Sequence, residues 1–323
     1  MNVAYDPPAR RRLRPPRHRV AIGRGQRVGY VWLVLLIGAA LVIADGLRER
    51  PGPEAERPAA QPGRTATTPA PARTTPPAPS PTARARDDRV RPASRGPQVD
   101  LSRVEFLSWA VLDRRSGAIT GSPNLAAPSD TMSMIKAWLA ADFLRLADER
   151  GQPPSSARLR QLSIMIRDSD NAAAETVYGL VGGRASIERL VRICGLTESR
   201  PYHRPYWSNT VVSARDTVRM GACLADGRGA GRRWTGWLLS EMRRVRGTGD
   251  FGVRTALPDD VAATVAIKNG WLLRDEDGLW HISCLAVATD WAISVLARYP
   301  GRLGFGYGTQ LCRQVGAPLV PSA

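Results

Sequence analysis

"TMSMIKAW", residues 131–138, decides how this chain is read, because it holds one of only two lysines. Of the 46 Lys and Arg residues, 44 are arginine; the exceptions are Lys136 in "SMIK" and Lys268 in "IKNG". Arginine evidently serves wherever a positive charge suffices. Lysine differs in one chemical respect: a buried amine can give up its proton, whereas a guanidinium stays charged in any protein site. Ser133 stands three positions before Lys136, on the same face if the segment is helical. A serine hydroxyl is a weak nucleophile until a base takes its proton. The pair therefore predicts an activated serine, with the helix N-terminus adding a favourable field and free N–H donors.

The surrounding pattern places this pair. "SDTMSMIKAWLAADFLRLADERG" predicts a helix with Ser129 or Asp130 as N-cap and apolar residues at Met132, Ile135, Leu139, Phe143 and Leu146. Gly151, Pro153 and Pro154 end it. Upstream, "VEFLSWAVLD" (104–113), "RRSG" and "AITGS" read as strand, turn and return strand. Downstream, helical patterns fall at 156–166, 171–181, 184–194, 213–226 and 232–245. Three strand-like runs follow, "VAATVAIKNGWLL", "LWHISCLAVAT" and "WAISVLARYP", and then a helix at 305–316. Strands, a block of helices, strands and a last helix predict an α+β fold: an antiparallel β-sheet with flanking helices and an inserted helical subdomain.

Two more short motifs stand in order after Ser133-x-x-Lys136. Ser169-Asp170-Asn171 lies between two predicted helices, and Lys268-Asn269-Gly270 lies on a predicted strand. Each alone has a plain alternative: Lys136 a surface lysine, Ser169 an N-cap, Lys268 a strand-edge charge. The order, the expected element for each and the use of both lysines together favour catalysis.

With these three motifs the chain from about Val104 onward resembles the superfamily of class A serine β-lactamases and penicillin-binding proteins, whose signature is S-x-x-K, S-D-N and K-T-G. "AVLDRRSGAITGS", "RDSDNAAAETV" and "SARDTVRM" add to the likeness, which covers roughly two thirds of the chain. The resemblance implies that Ser133 is the acylated nucleophile and Lys136 its proton acceptor. Ser169 would pass a proton to the leaving nitrogen, Asn171 would hold the substrate amide, and Lys268 would attract its carboxylate. Asn269 and Gly270 complete the third motif, and the backbone N–H groups of Ser133 and Trp271 would form an oxyanion hole. The substrate would be a β-lactam or a peptidoglycan stem peptide, with no cofactor or metal, and the protein a monomer.

Three departures bear on turnover. Asn269 replaces the threonine of K-T-G, and only 36 residues separate Ser133 from Ser169, closer than is usual in the family. The family's omega-loop glutamate, which activates water for deacylation, has no match in "TESRPYHRPYWSNTVV"; Glu198 stands at its start in a different context. Glu175, four residues after Asn171, is a candidate substitute base, with a helix-surface acid as the alternative. Acyl-enzyme turnover is therefore expected to be slow. His203 and His281 read as structural, since the lysine explains activation without them and no G-x-S-x-G occurs. Among the nine tryptophans, Trp207 and Trp271 are candidates for a cleft wall or for core.

The remaining sequence speaks to placement. Residues 1–27 form a basic tail with eight arginines from Arg10 to Arg27. Residues 28–46 hold the uncharged run "VGYVWLVLLIGAALVIA", which predicts a transmembrane signal-anchor with the tail inside and the rest outside the cell. Cleavage after Ala44, giving a secreted protein, is the alternative. Residues 47–99 are too rich in Pro, Ala and Thr to bury a core and predict a disordered linker. Residues 100–323 then form the hydrolase domain. The net charge of +17 is concentrated in the first hundred residues, and with no basic stripe interleaved with aromatics, nucleic acid is not an expected partner. The four cysteines permit two disulfides; proximity favours Cys194–Cys223 and Cys284–Cys312, with free buried thiols as the alternative. A non-catalytic binder or sensor of cell-wall fragments on the same fold, and a general esterase, are the rival functions.

Overall fold

The computed structural model describes residues 100–203 and 206–320, so the expected tail, anchor and linker lie outside the described residues. Strands β1 (Phe106–Asp113) and β2 (Ile119–Gly121) form the expected opening hairpin, with Leu112 opposite Ile119. Near the C-terminus, β7 (Leu279–Val287) and β8 (Trp291–Pro300) pair over their whole length, His281 opposite Arg298 and Val287 opposite Ala292. β8 also pairs with β1, bringing the first and last strands of the domain together. The antiparallel sheet runs β2-β1-β8-β7-β5, with β5 (Ala266–Ile267) and β6 (Gly270–Leu273) both along β7.

Between β2 and β5 lie helices α1 (Lys136–Glu149), α2 (Ser156–Arg167), α3 (Asn171–Leu180), α4 (Arg184–Cys194), α5 (Ala214–Ala225), α6 (Arg232–Arg243) and the short α7 (Asp259–Ala262). Helix α8 (Gly304–Gly316) follows β8. β7 and β8 are buried almost throughout because they are covered on both faces, which explains their nearly continuous apolar sequence. Gly221 of α5 lies against Leu285 and Val287, whereas Gly308 of α8 lies against Ile282 and Tyr299. Alternation along a strand puts these two sets on opposite faces. Buried Asp142 ties the helices: Arg145 and Arg189 pair with it at 2.5 Å each, and the Ser186 hydroxyl donates to it at 2.7 Å.

Two local expectations are corrected. Ser129 and Asp130 do not cap a helix; they form β3, a short strand paired with β4 (Val211–Val212). Met132 then takes φ +48°, a left-handed conformation outside the α-helical range, and opens a 3-10 turn (Met132–Ile135) that precedes α1. The run 261–273 is not one strand: it divides into the α7 turn, β5 and β6, and Lys268-Asn269 occupies the break. Both cysteine pairs form as proximity favours, Cys194–Cys223 joining α4 to α5 and Cys284–Cys312 joining β7 to α8. Among the described residues no helix is long and apolar enough to cross a membrane.

Candidate active site

Ser133, Lys136, Ser169, Asn171, Lys268 and Gly270 come together where the helical insertion meets the sheet. The tight approach begins at Gly270. A Cβ there would stand 2.4 Å from the Thr131 carbonyl and 2.7 Å from the Ser133 nitrogen, so only glycine lets β6 lie against the backbone that carries Ser133. Ser283, opposite Gly270 on β7, donates its hydroxyl to the Thr131 carbonyl at 2.6 Å and fixes the same turn from the sheet. Ser133 itself is only partly covered, while Met132 and Met134 on either side are buried.

Lys136 is fully buried. Its Nζ donates to the Ser169 carbonyl at 2.5 Å and to Asn171 Oδ1 at 2.6 Å, and lies 3.3 Å from Ser169 Oγ. Lys268 is also fully buried, and its Nζ lies 3.0 Å from the same Ser169 Oγ. One hydroxyl thus stands between the chain's two lysines. Ser169 reaches this position because it is left-handed, at φ +58°. Of the described residues outside glycine, only Met132 and Ser169 have positive φ, and each adjoins or belongs to an expected site motif. Such conformations cost about 1–3 kcal/mol and persist where surrounding structure holds them. The N-cap of α3 is Asp170, whose carboxylate accepts from the Ala173 N–H at 2.7 Å, leaving Ser169 free of that duty.

The electrostatics follow from burial. Desolvation pushes the Lys136 ammonium down to about 7, against an opposing pull from the Asp170 carboxylate. Lys268 is held well below the usual lysine range, first by burial and then by the nearby charge of Lys136. Neutral Lys136 has two N–H bonds, matching its two carbonyl acceptors, and a lone pair for a hydroxyl proton. Since a base must be unprotonated to act, acylation at the site is expected to fall about tenfold per pH unit below roughly pH 7. A rate flat from pH 5 to 8 would remove Lys136 from that role.

The other expected residues are distributed differently. Asn269 is buried, and its amide is spent internally: it donates to the Gly249 and Phe251 carbonyls at 3.1 and 2.8 Å and accepts from the Leu285 N–H. Its side chain braces the loop beside the site. The Trp271 side chain points to the α8 face, against Phe251 and Phe305, so only its backbone borders the Gly270 side. Glu175 is exposed on α3 and accepts from Trp207 Nε1 at 3.1 Å. Glu198 is an anchor for the start of α5, bonded by the Ser213 hydroxyl and the Arg215 guanidinium. Burial raises its pKa, but hydrogen bonds from Arg215, Thr197 and Ser213 outweigh this and hold the carboxyl at about 2.

Sequence reading left two neighbours of the site undefined. Trp207, in a 3-10 turn (Trp207–Asn209), is buried with its ring centroid 4.7 Å from Lys136 Nζ. His281 is held between Asp130 at 2.9 Å and Asp277 at 2.8 Å. Arg274 pairs with Asp130 at 2.7 Å and donates to Asn209 Oδ1 at 3.1 Å. Apart from Asp277 and His281, these partners lie 65 to 151 positions apart in sequence, so only the fold could reveal them. A cavity of about 520 Å³ is lined by Asp130, Arg200, Asn209, Arg274, Asp277 and His281, and by none of Ser133, Lys136, Ser169, Asn171, Lys268 or Gly270. No group of residues able to hold a metal ion occurs among the described residues.

No family model matches the chain. It is 32% identical over 182 residues to a protein named "Putative lipoprotein LppW" of Mycobacterium bovis, and equally to that of Mycobacterium tuberculosis H37Rv. The match takes in 55% of this chain, and the chain spans about 57% of the length of these curated relatives. Among solved structures, the extended-spectrum β-lactamase TLA-3 superimposes with a TM-score of 0.57 at 15% identity, over 66% of this chain and 91% of that one. A β-lactamase from Chitinophaga pinensis gives 0.53 at 17% identity over 65% and 91%. One from Xanthomonas campestris pv. campestris gives 0.53 at 18% identity over 67% and 91%. At such identities the likeness speaks to architecture alone: the chain has the α+β fold of the class A-like serine β-lactamases.

Proposed function

We propose that this protein is a serine acyl-transfer hydrolase that forms an acyl-enzyme on Ser133 with a β-lactam or a D-alanyl amide of peptidoglycan type. The single observation that carries this reading is the Ser169 hydroxyl held between two buried lysines, beside the turn that bears Ser133. In the acylation step the Ser133 oxygen bonds to the amide carbon while its proton passes to neutral Lys136. The C–N bond then breaks, and the leaving nitrogen receives that proton through Ser169 Oγ. Lys268 suits the substrate carboxylate: an arriving anion favours the protonated form of a buried lysine, and that charge in turn keeps Lys136 neutral. The Ser133 and Trp271 backbone N–H groups are the proposed oxyanion donors, a contribution often near ~3 kcal/mol per donor. Asn171 is the proposed partner of the substrate amide, exchanging its bond with Lys136.

Membrane association is part of the proposal. It rests on the apolar run at 28–44 and on the name of the mycobacterial relatives. The site would then face outward on a linker of residues 47–99, near cell-wall material.

A fluorescent penicillin tests the proposal. Wild type is expected to retain the label through denaturing electrophoresis, and Ser133→Ala to retain none. Equal binding of cell-wall fragments by both proteins, with no covalent label on either, would instead fit the sensor reading.

A further inference from the structure

The segment Trp207–Asn209 runs across the site from α3 to the β6–β7 hairpin, and both ends are tied. At one end Trp207 Nε1 donates to Glu175 Oε2 at 3.1 Å, and Tyr206 packs on the indole with ring centroids 5.1 Å apart. At the other end Asn209 Oδ1 accepts from Arg274, which is itself paired with Asp130 two residues before the start of the nucleophile turn. The indole therefore has a carboxylate at its edge and the Lys136 amine against its face. It stands between Glu175 and Lys136.

We infer that Trp207 is a positioning residue that keeps Lys136 dry and bars water from that side of the acyl-enzyme, with Glu175 holding the indole rather than activating water. The inference rests on the acyl-enzyme reading for its second half and on geometry alone for its first. Burial is the largest influence on the Lys136 amine, and Trp207 is an apolar surface in direct contact with it. The charged groups near Lys136 are Asp170 at the start of α3, Lys268 at the β5–β6 break and Glu175 beyond the indole. The indole that donates to the Glu175 carboxylate also lies against Lys136, so it stands in the path between that carboxylate and the lysine. Glu175 also acts on this loop by charge: after burial, it is the next cause raising the Tyr206 phenol above its ordinary range.

Two readouts separate this inference from the reaction it refines. With lysine labelled at 15Nζ the chain carries only two such nitrogens, so Lys136 can be titrated without substrate, Lys136→Met serving for assignment. Wild type and Trp207→Phe, which keeps an apolar ring, are expected to titrate near about 7, and Trp207→Ala at least about one pH unit higher. A Trp207→Ala midpoint equal to wild type would overturn the first half, whether or not any β-lactam reacts. The lifetime of a benzylpenicillin adduct reads the second half. Trp207→Ala is expected to shorten it about tenfold or more, while Glu175→Gln, which keeps an acceptor for the indole N–H, leaves it unchanged. An adduct that persists far longer in Glu175→Gln than in wild type would make Glu175 the base and overturn the assignment. If wild type forms no adduct, the acyl-enzyme reading fails and the second half with it, whereas the lysine titration still decides the first.

Discussion

Lys136→Arg is expected to slow acylation of Ser133 by about a thousandfold or more, although the positive charge and its reach are kept. A guanidinium stays protonated in protein sites, so the variant has no lone pair with which to receive the hydroxyl proton. Its planar fork also cannot reproduce a compact amine that donates to the Ser169 carbonyl and Asn171 Oδ1 from within a buried pocket. Lys136→Met removes the base equally but reveals the cost of placing it there. In the folded protein Lys136 titrates at about 7, below its ordinary 10.5, so the folded state binds that proton less tightly than the unfolded chain does. The wild type therefore gains stability as pH rises from 7 toward 10.5, and the full cost stands below pH 7. Between pH 7 and 10 this change amounts to about 4 kcal/mol for one group, and Lys136→Met is expected to lack it. Lys268 is depressed in the same sense first by burial, so most of its own slope stays in both proteins, and only the part owed to the Lys136 charge is lost in Lys136→Met. Denaturant unfolding of the two proteins across that range measures the difference; parallel stability curves would contradict a neutral Lys136.

Gly270→Ala is the second substitution with a large expected effect. The new methyl would meet the Thr131 carbonyl at 2.4 Å, Met132 Cβ at 2.6 Å and the Ser133 nitrogen at 2.7 Å. Two of these neighbours are backbone, held by the Ser283 hydroxyl and by an already left-handed Met132, so they cannot yield cheaply. Overpacking of this kind costs about 1–3 kcal/mol or more, and here it displaces the nucleophile itself. Acylation is expected to drop at least about a hundredfold, since small misplacements of a reacting group cost that much. Gly236→Ala in α6 is the matched control: nothing lies within 4 Å of its added methyl, and helix propensity predicts a gain of about 0.5–1 kcal/mol. Equal effects of the two substitutions would contradict the close approach at Gly270.

The sequence made the elements legible where one local rule governs. The helices expected at 156–166 and 213–226 form close to those bounds, and the Ser155 and Ser213 hydroxyls cap them, each accepting from the N–H three residues on. Strands β7 and β8 follow from their apolar, β-branched runs. The same local rules misread Ser129 and Asp130, which make as good an N-cap as many, because pairing with β4 some eighty residues later outweighs capping. They also joined β5 to β6, since nothing local shows that Lys268 must leave the strand to reach Ser169.

At the site, the motif residues that meet could be named from spacing and from the rarity of lysine. What surrounds them could not. Asn269 reads as a substrate group by its place in a motif, yet three hydrogen bonds commit it to the neighbouring loop and strand. Trp207 reads as any tryptophan, and its contact with Lys136 depends on how a loop returns 71 positions later in the sequence. Burial set by such distant segments is what changes the chemistry of Lys136, and a one-dimensional pattern carries little trace of it.

The central claim is that Ser133 becomes acylated through Lys136, and intact-protein mass spectrometry followed by peptide mapping after exposure to benzylpenicillin tests it most directly. The account predicts a single adduct with the mass of the whole β-lactam, placed on the peptide containing Ser133. It should be long-lived in wild type and absent from Ser133→Ala and Lys136→Arg. An adduct on another residue, or one that forms as fast in Lys136→Arg as in wild type, would contradict it.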